Sequence, residues 1–377
     1  MQKRLWVLLL AVAFILTGML PSTVQAQEKV VIRFCGDFPT APHPLAVAMG
    51  WFRDRMKERL PGSEVRLYFA GGLYNMGDAM TALQAGNLEI AVGQPSKVAG
   101  FDPWLNIATL PMLLTSVGAI HHFPETETAK MLAKRLSAKG VEVLEWSDIS
   151  HFFGACAKKR LLSPADFKGM KVRTLAPLTQ VPMLRAWGAS GVAMSWGDVP
   201  SALQSGVVDA ALTSTGGWAS VRDQIPFNTI AGVGGVALDF YFFGVSKKWL
   251  DGLKPETRKI VTDTLHDLMM HQRTMQWCSD KIIMDEFGTK DPKKPGVYVV
   301  SPEQVEVFKK ATGDAVANSL AERLGGESKQ WIFKFMEEGN QLVKKYPIGS
   351  DLVESLNCAP YKELLSYKEQ EKPAKKK

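Results

Sequence analysis

Arg173 is the residue whose type and placement most directly suggest chemistry. It lies in the short β-rich run MKVRT (residues 170–174), and no acid stands beside it in sequence. A guanidinium offers a planar fork of donors that matches a carboxylate through two parallel hydrogen bonds. Near the C-terminal end of a strand in an open α/β sheet, such a group faces the edge where ligands bind. The alternative is a surface arginine paired with an acid, a common arrangement of little energetic weight. The apolar residues flanking Arg173 argue against it. Reaction chemistry has no comparable signal: the sequence contains no GxSxG elbow, no HExxH pair and no GxxxxGK[ST] loop. His121 and His122 are adjacent and point apart, while His266 and His271 are five apart and fall on different helix faces. All four read as solvated or core positions.

The elements that must position Arg173 form an α/β unit. Residues 166–217 read as strand, helix, strand, helix, strand. MKVRT is followed by apolar residues at helical spacing over 177–188, then GVAMS, a second helix at 197–205, and VVDAAL. The chain also repeats itself, because ALQAGNLEIAV (82–92) and ALQSGVVDAAL (202–212) align without gaps. Each copy has a helix ending at glycine, Gly86 or Gly206, as a left-handed C-cap favours. Each continues into a short strand carrying one acid, Glu89 or Asp209. Each is preceded by an arginine-bearing strand, IRF or VRT. Two equivalent lobes would hold a ligand in the cleft between them. In the first, 30–38 reads as a buried parallel strand, 45–60 as a helix stopped by Pro61-Gly62, and 64–69 as the next strand. Gln94 and Ser96 follow the repeat's strand in this lobe, while Asp37, Phe38 and His43 follow its first strand. They are candidates to reach a ligand from the opposite side, and turn capping explains them equally well.

Composition bounds the rest. Of 377 residues, 1–26 read as a secretory leader: Lys3 and Arg4, an apolar core over 5–16, and a small-residue cleavage box at Val24-Gln25-Ala26. The expected location is therefore periplasmic, with cleavage after about Ala26. No later run is long and apolar enough to span a bilayer. Loss of Lys3 and Arg4 takes two from the formal charge of +7, and Lys372, Lys375, Lys376 and Lys377 supply much of the remaining excess. No basic stripe interleaved with aromatics points to nucleic acid, and the tail reads as solvated. Cys35, Cys156, Cys278 and Cys358 are scattered and show no metal-ligand spacing. Cys35 and Cys156 lie in apolar runs and read as buried, and no disulfide is expected.

DFKGMKVRT, the helix after it and MSWGDVPSALQSGVVDA together resemble the signature region of the solute-binding proteins of TRAP transporters (the DctP type). The resemblance extends more weakly over nearly all of the chain after Gln27. It implies a two-lobed, periplasmic-binding-protein-like α/β fold with discontinuous lobes, a hinge and a long bridging helix at about 255–287. The implied bounds are 27–149 plus 239–278 for lobe 1 and 150–238 plus 279–346 for lobe 2. A C-terminal extension, 347–377, ends in the basic tail. The resemblance also implies that Arg173 binds the carboxylate of a small organic acid, for delivery to the TRAP membrane subunits, without cofactor or reaction.

Trp196 falls where the family places an aromatic against the solute, although a core role fits it almost as well. Two departures stand out. Where the family has an asparagine assisting the arginine, this chain has Thr213, followed by Thr215-Gly216-Gly217, which suggests a reshaped floor. Where many members carry a further pocket arginine, this chain reads SDISHFFGACA (147–157), placing His151, Phe152 or Phe153 there. Fewer cations and more aromatic surface suit a ligand with a larger apolar part. Asp239 and Tyr241, at the return crossing, are supporting candidates. The rival readings are an exported enzyme on the same fold, which would need a nucleophile or acid/base pair beside Arg173, and the receptor of an ABC-type importer or a sensor.

Overall fold

A computed structural model describes residues 28–236 and 238–370. The leader at 1–26 and the lysines of the tail lie outside the described residues. In chain order the strands are β1 (Val31–Gly36), β2 (Glu64–Tyr68), β3 (Ile90–Gly93), β4 (Val141–Asp148), β5 (Phe153–Ala157), β6 (Lys171–Thr174), β7 (Ser190–Ala193), β8 (Ala210–Ser214), β9 (Phe227–Ile230), β10 (Phe240–Ser246) and β11 (Gly296–Val299). They form two sheets, ordered β2-β1-β3-β10-β4 and β11-β9-β5-β8-β6-β7. In the first, β1 runs parallel to β2 and β3, while β10 lies antiparallel between β3 and β4. In the second, β6 runs parallel to β7 and β8, while β5 lies antiparallel between β8 and β9. Each sheet thus has a parallel core of consecutive units and receives an antiparallel strand from a segment that has just crossed over. The central strand β3 is buried along its whole length, which its unbroken apolar sequence requires.

The internal repeat is structural. Gly86 and Gly206 both end their helices in the left-handed region, at φ 80° and 73°. The strand after each lies at equivalent positions in the two sheets. Register then separates two arginines that sequence alone had seemed to match. Phe34 pairs with Ile90 and Val172 with Ala210. Since the repeat aligns Ile90 with Ala210, Arg33 corresponds to Lys171, and Arg173 to Cys35. The main chain agrees, because the Arg33 N–H donates to Glu89 Oε2 at 2.7 Å and the Lys171 N–H to Asp209 Oδ2 at 2.8 Å. The Arg33 guanidinium also holds Glu89, at 2.9 and 2.6 Å. Arg173 sits two residues further along its strand, beyond the reach of that acid.

The chain passes from one sheet to the other between Asp148 and Phe153, and returns between Ile230 and Phe240. A third link is the helix Pro255–Phe287, whose 33 residues span about 50 Å. It packs against the helix Pro44–Arg59 and β4 on one side, and against the helix Thr215–Val221 and β11 on the other. Leu265, Leu268, Met269, Gln272 and Met275, the stripe read from the sequence, are all buried.

The helix Ser328–Lys345 packs both on the helix Ala315–Leu324 and on elements beside the first sheet. Phe335 meets Phe123 edge-on at 5.4 Å, and the Glu338 carboxylate accepts from the N–H groups of Glu127 (3.0 Å) and Thr128 (3.3 Å). One expectation needs correcting, because Cys278 and Cys358 form a disulfide. It ties the C-terminal extension to the long helix across 80 residues of sequence, a separation that carries no local motif. Cys35 and Cys156 are buried free thiols.

At the return crossing Asp239 is fully buried, accepting from the Ser96 hydroxyl and from the Phe240 N–H. Burial pushes its pKa up to about 7, against the pull of those bonds. A carboxyl raised in the folded state favours folding at low pH and loses that contribution as pH climbs from its unfolded value, about 4, towards 7. Asp239→Asn keeps an acceptor for the Phe240 N–H and reverses the bond to Ser96, its amide donating to the hydroxyl oxygen. In denaturant titrations it should be more stable than wild type at about pH 8 by about 1 kcal/mol or more, with the gap closing towards pH 4. A difference independent of pH would contradict this account.

Candidate functional site

Between the sheets lies a cavity of about 210 Å³. One wall is the turn 37–43 with Gln94 and Lys97, which follow β1 and β3. The other is built from Phe153 at the start of β5, Arg173 and Leu175 at the end of β6, Trp196, Thr213 and Ser214 on β8, and Gly216 and Gly217 at the start of the helix Thr215–Val221. Most of these residues lie at a strand end or in the segment next to it.

Arg173 is 2% exposed. Its Nε and Nη2 donate to the Met194 carbonyl at 3.3 and 3.2 Å, and Nη1 to the Leu212 carbonyl at 3.2 Å. Three of its five N–H groups are occupied in this way, which leaves one on each terminal nitrogen. No carboxylate among the described residues pairs with it. Burial lowers its pKa to about 10, so it remains a cation at neutral pH. Trp196 lies beneath the guanidinium, 5.2 Å from ring centroid to Cζ, a contact favourable to a desolvated cation. The site is a fixed, buried positive charge with two donors to spare.

Six of the eight residues singled out from sequence line this cavity: Arg173, Trp196, Thr213, Gln94, Phe38 and Phe153. Phe38 stacks on His43 at 4.9 Å and tilts against Tyr241 at 5.7 Å. Burial, with Lys97 nearby, lowers the pKa of His43 to about 4, which keeps it neutral. The Gln94 Oε1 is buried and accepts no hydrogen bond, so it can receive one from a ligand. The other two stand elsewhere. Ser96 is turned away to bond Asp239. His151, 0% exposed, contacts Asp280 at 3.2 Å and His121 at 3.1 Å behind the crossing. Phe152 packs on Trp277. Of the three residues at the position of the missing arginine, Phe153 is the one at the cavity.

Among the lining residues that sequence reasoning missed are Lys97 and Tyr367. Lys97 is a second cation, but Asp37 holds it at 2.9 Å. Tyr367 comes from the C-terminal extension, which is anchored by the disulfide, by Ser366 to Glu286 (2.7 Å) and by Lys368 to the Glu286 carbonyl (2.8 Å). Its ring reaches the glycine floor: a Cβ on Gly216 would lie 3.1 Å from the Tyr367 hydroxyl, and one on Gly217 2.2 Å from Thr213 Oγ1. Of the two glycines that mark a departure from the family pattern, Gly216 thus makes room for a tyrosine about 150 residues later, and Gly217 for the Thr213 hydroxyl and Trp196. Burial pushes the phenol's pKa up to about 12, so it stays protonated. The even cysteine count was the one hint that the extension is tied down.

Comparison with known proteins agrees with this fold. The family model for bacterial extracellular solute-binding protein, family 7 (DctP) matches residues 36–323. The C4-dicarboxylate-binding periplasmic protein DctP of Vibrio cholerae is 27% identical over 307 residues, 78% of this chain and 91% of that protein. The 2,3-diketo-L-gulonate-binding periplasmic protein YiaO of Escherichia coli is 21% identical, over 82% of this chain and 87% of its own. Among solved structures, a TRAP periplasmic solute-binding protein from Desulfovibrio salexigens with bound orotic acid superposes with a TM-score of 0.72 at 19% identity, covering 83% of this chain and 99% of that one. Another, from Sulfitobacter sp. NAS-14.1 with bound β-D-galacturonate, gives 0.70 at 23% identity, covering 81% and 99%. At these identities the structures speak for the fold. The span of the family match decides membership: this chain belongs to the bacterial extracellular solute-binding proteins of family 7.

Proposed function

We propose that this protein is the receptor of a TRAP-type secondary transporter, that it clamps the carboxylate of a small organic acid with Arg173, and that it delivers the acid to the membrane carrier. The observation that carries the reading is a buried guanidinium with two free N–H groups and no acid beside it. A buried charge without a counter-charge is costly, and a bound carboxylate supplies both the charge and the acceptors. The names of relatives point the same way, since the acids they carry or were solved with (C4-dicarboxylate, galacturonate, orotic acid) are all anions.

The lining narrows the class further. Lys97 is neutralised by Asp37, so the cavity presents one uncompensated cation. Phe38, Phe153, Trp196, Tyr241 and Tyr367 bring five aromatic rings to its walls. That favours a monocarboxylate with an apolar body and a hydroxyl or amide placed for Gln94 or Thr213. Residues of both lobes line one cavity, so an occupant holds them together by hinge closure. No reaction is assigned to the site.

Thermal unfolding against a panel of keto, aromatic, branched and dicarboxylic acids tests the reading. A true solute at a hundred times its Kd stabilises the fold by about 2.7 kcal/mol. Arg173→Ala should abolish that shift, and Arg173→Lys, which keeps a charge but not the fork, should largely remove it. Stabilisation by neutral or cationic solutes alone, or by an acid equally in wild type and Arg173→Ala, would overturn the proposal. For the floor, Tyr367→Ala should weaken the same ligand about tenfold through loss of ring contact, while Tyr367→Phe should hold affinity within about threefold. Equal affinity in both variants and wild type would remove Tyr367 from the site.

A further inference from the structure

We propose that His121, Asp148 and His151 bind a divalent zinc-type metal ion at the crossing between the lobes. The three residues come from the end of the helix Val117–His121, the last position of β4 and the segment leading into β5. All are buried.

Hydrogen bonds fix the orientation of both imidazoles. His121 Nδ1 lies 2.8 Å from Asp351 Oδ2, and His151 Nδ1 lies 3.2 Å from Asp280 Oδ2. A carboxylate on Nδ1 holds the proton there and leaves the Nε2 lone pair as a donor to metal, the arrangement found around metal-ligating histidines. The two Nε2 atoms then face each other at 3.1 Å. Two lone pairs at that distance repel unless an electrophile lies between them.

Asp148 completes the set. Its Oδ1 lies 3.4 Å from His121 Nε2, and its Oδ2 3.4 Å from His151 Nε2. Neither oxygen accepts a hydrogen bond, although the residue is 1% exposed. An unbonded buried carboxylate aimed at two imidazole nitrogens calls for a cation. The dimensions suit one, because bonds of 2.0–2.2 Å in a tetrahedral site place ligand atoms about 3.4 Å apart.

Charge points the same way. Asp148, Asp280 and Asp351 face the cluster with three negative charges, against the single guanidinium of Arg273, which donates to the His121 carbonyl at 2.8 Å. A dication balances the remainder. Asp280 is further held by Ser150 (2.8 Å) and by the His151 N–H (2.9 Å), and Asp351 by the Val353 N–H (3.0 Å). The outer carboxylates are therefore themselves fixed. Because Asp280 belongs to the long helix and Asp351 to the C-terminal extension, the ion would tie both to the crossing. Asp351 also borders a surface depression with Phe152 and Trp277, which offers a route in from solvent.

The test is metal analysis and Co²⁺ titration of the full exported chain after its affinity tag has been removed. Wild type should carry or take up about one equivalent, show the strong visible absorption of tetrahedral cobalt, and melt at a lower temperature once chelator strips the ion. Asp148→Asn, nearly isosteric, should lose the cobalt spectrum. Asp351→Asn, which alters only the outer partner of His121, should weaken binding by about 10- to 100-fold. Absence of a tetrahedral cobalt spectrum in wild type overturns the proposal and leaves the two histidines sharing a proton. So does uptake that is undiminished in Asp148→Asn and His121→Gln. Should Asp148→Asn fail to fold, the wild-type spectrum and Asp351→Asn decide.

Discussion

A guanidinium held out of water without a counter-ion is the constraint to which the second lobe is built. Removing a lone charge from solvent is expensive, and main-chain carbonyls recover only part of that cost. The carbonyls of Met194 and Leu212 and the face of Trp196 supply this partial compensation around Arg173. Each depends on the α/β unit around it. Met194 immediately follows β7, Leu212 lies within β8, and Trp196 opens the short 3₁₀ turn Trp196–Asp198 before the helix Val199–Ser205. The arrangement leaves two N–H groups of the guanidinium unbonded at the cavity, where in the proposed reading a carboxylate completes the pairing. On that reading, specificity for an anion follows from an incompleteness in the folded protein.

The remaining architecture makes that incompleteness accessible and then closes it. Two sheets of similar construction exchange strands at the crossings, so neither lobe is a continuous segment of chain. Among the described residues, short links, the helix Pro255–Phe287 and the C-terminal extension join them, an arrangement suited to hinge motion. A ligand that touches both walls favours the closed state by its differential affinity for it. The disulfide-anchored extension adds a third contributor, Tyr367, carried by the same long helix. Closure and floor are therefore mechanically linked through one element.

Much of this was legible in the sequence, for identifiable reasons. The alternation within 166–217, the repeat with its glycine caps, and the apolar stripe of the long helix are local periodicities, and the structure reproduces them. Arg173 stood out because a charged residue in an apolar strand is anomalous wherever the strand lies. Register was not legible, so IRF and VRT looked equivalent although Arg33 matches Lys171 and Arg173 matches Cys35. Nor was the direction of a side chain after a strand: Gln94 faces the cavity, while Ser96, two residues on, turns to Asp239. His151 and Phe153 differ in the same way across the crossing. Contacts distant in sequence left little trace beforehand, among them Cys278 with Cys358, Tyr367 against Gly216, and Phe335 of the helix Ser328–Lys345 against Phe123. Such pairings depend on how surfaces meet after the lobes have formed.

The central claim is that the vacant N–H groups of Arg173 are the carboxylate site. A crystal structure of the protein with a stabilising acid tests it most directly. The account predicts one carboxylate with both oxygens within hydrogen-bonding distance of the two terminal nitrogens of Arg173, and the rest of the ligand between Phe38 and Trp196. A carboxylate held instead by Lys97, with Arg173 still bonded only to Met194 and Leu212, would contradict it.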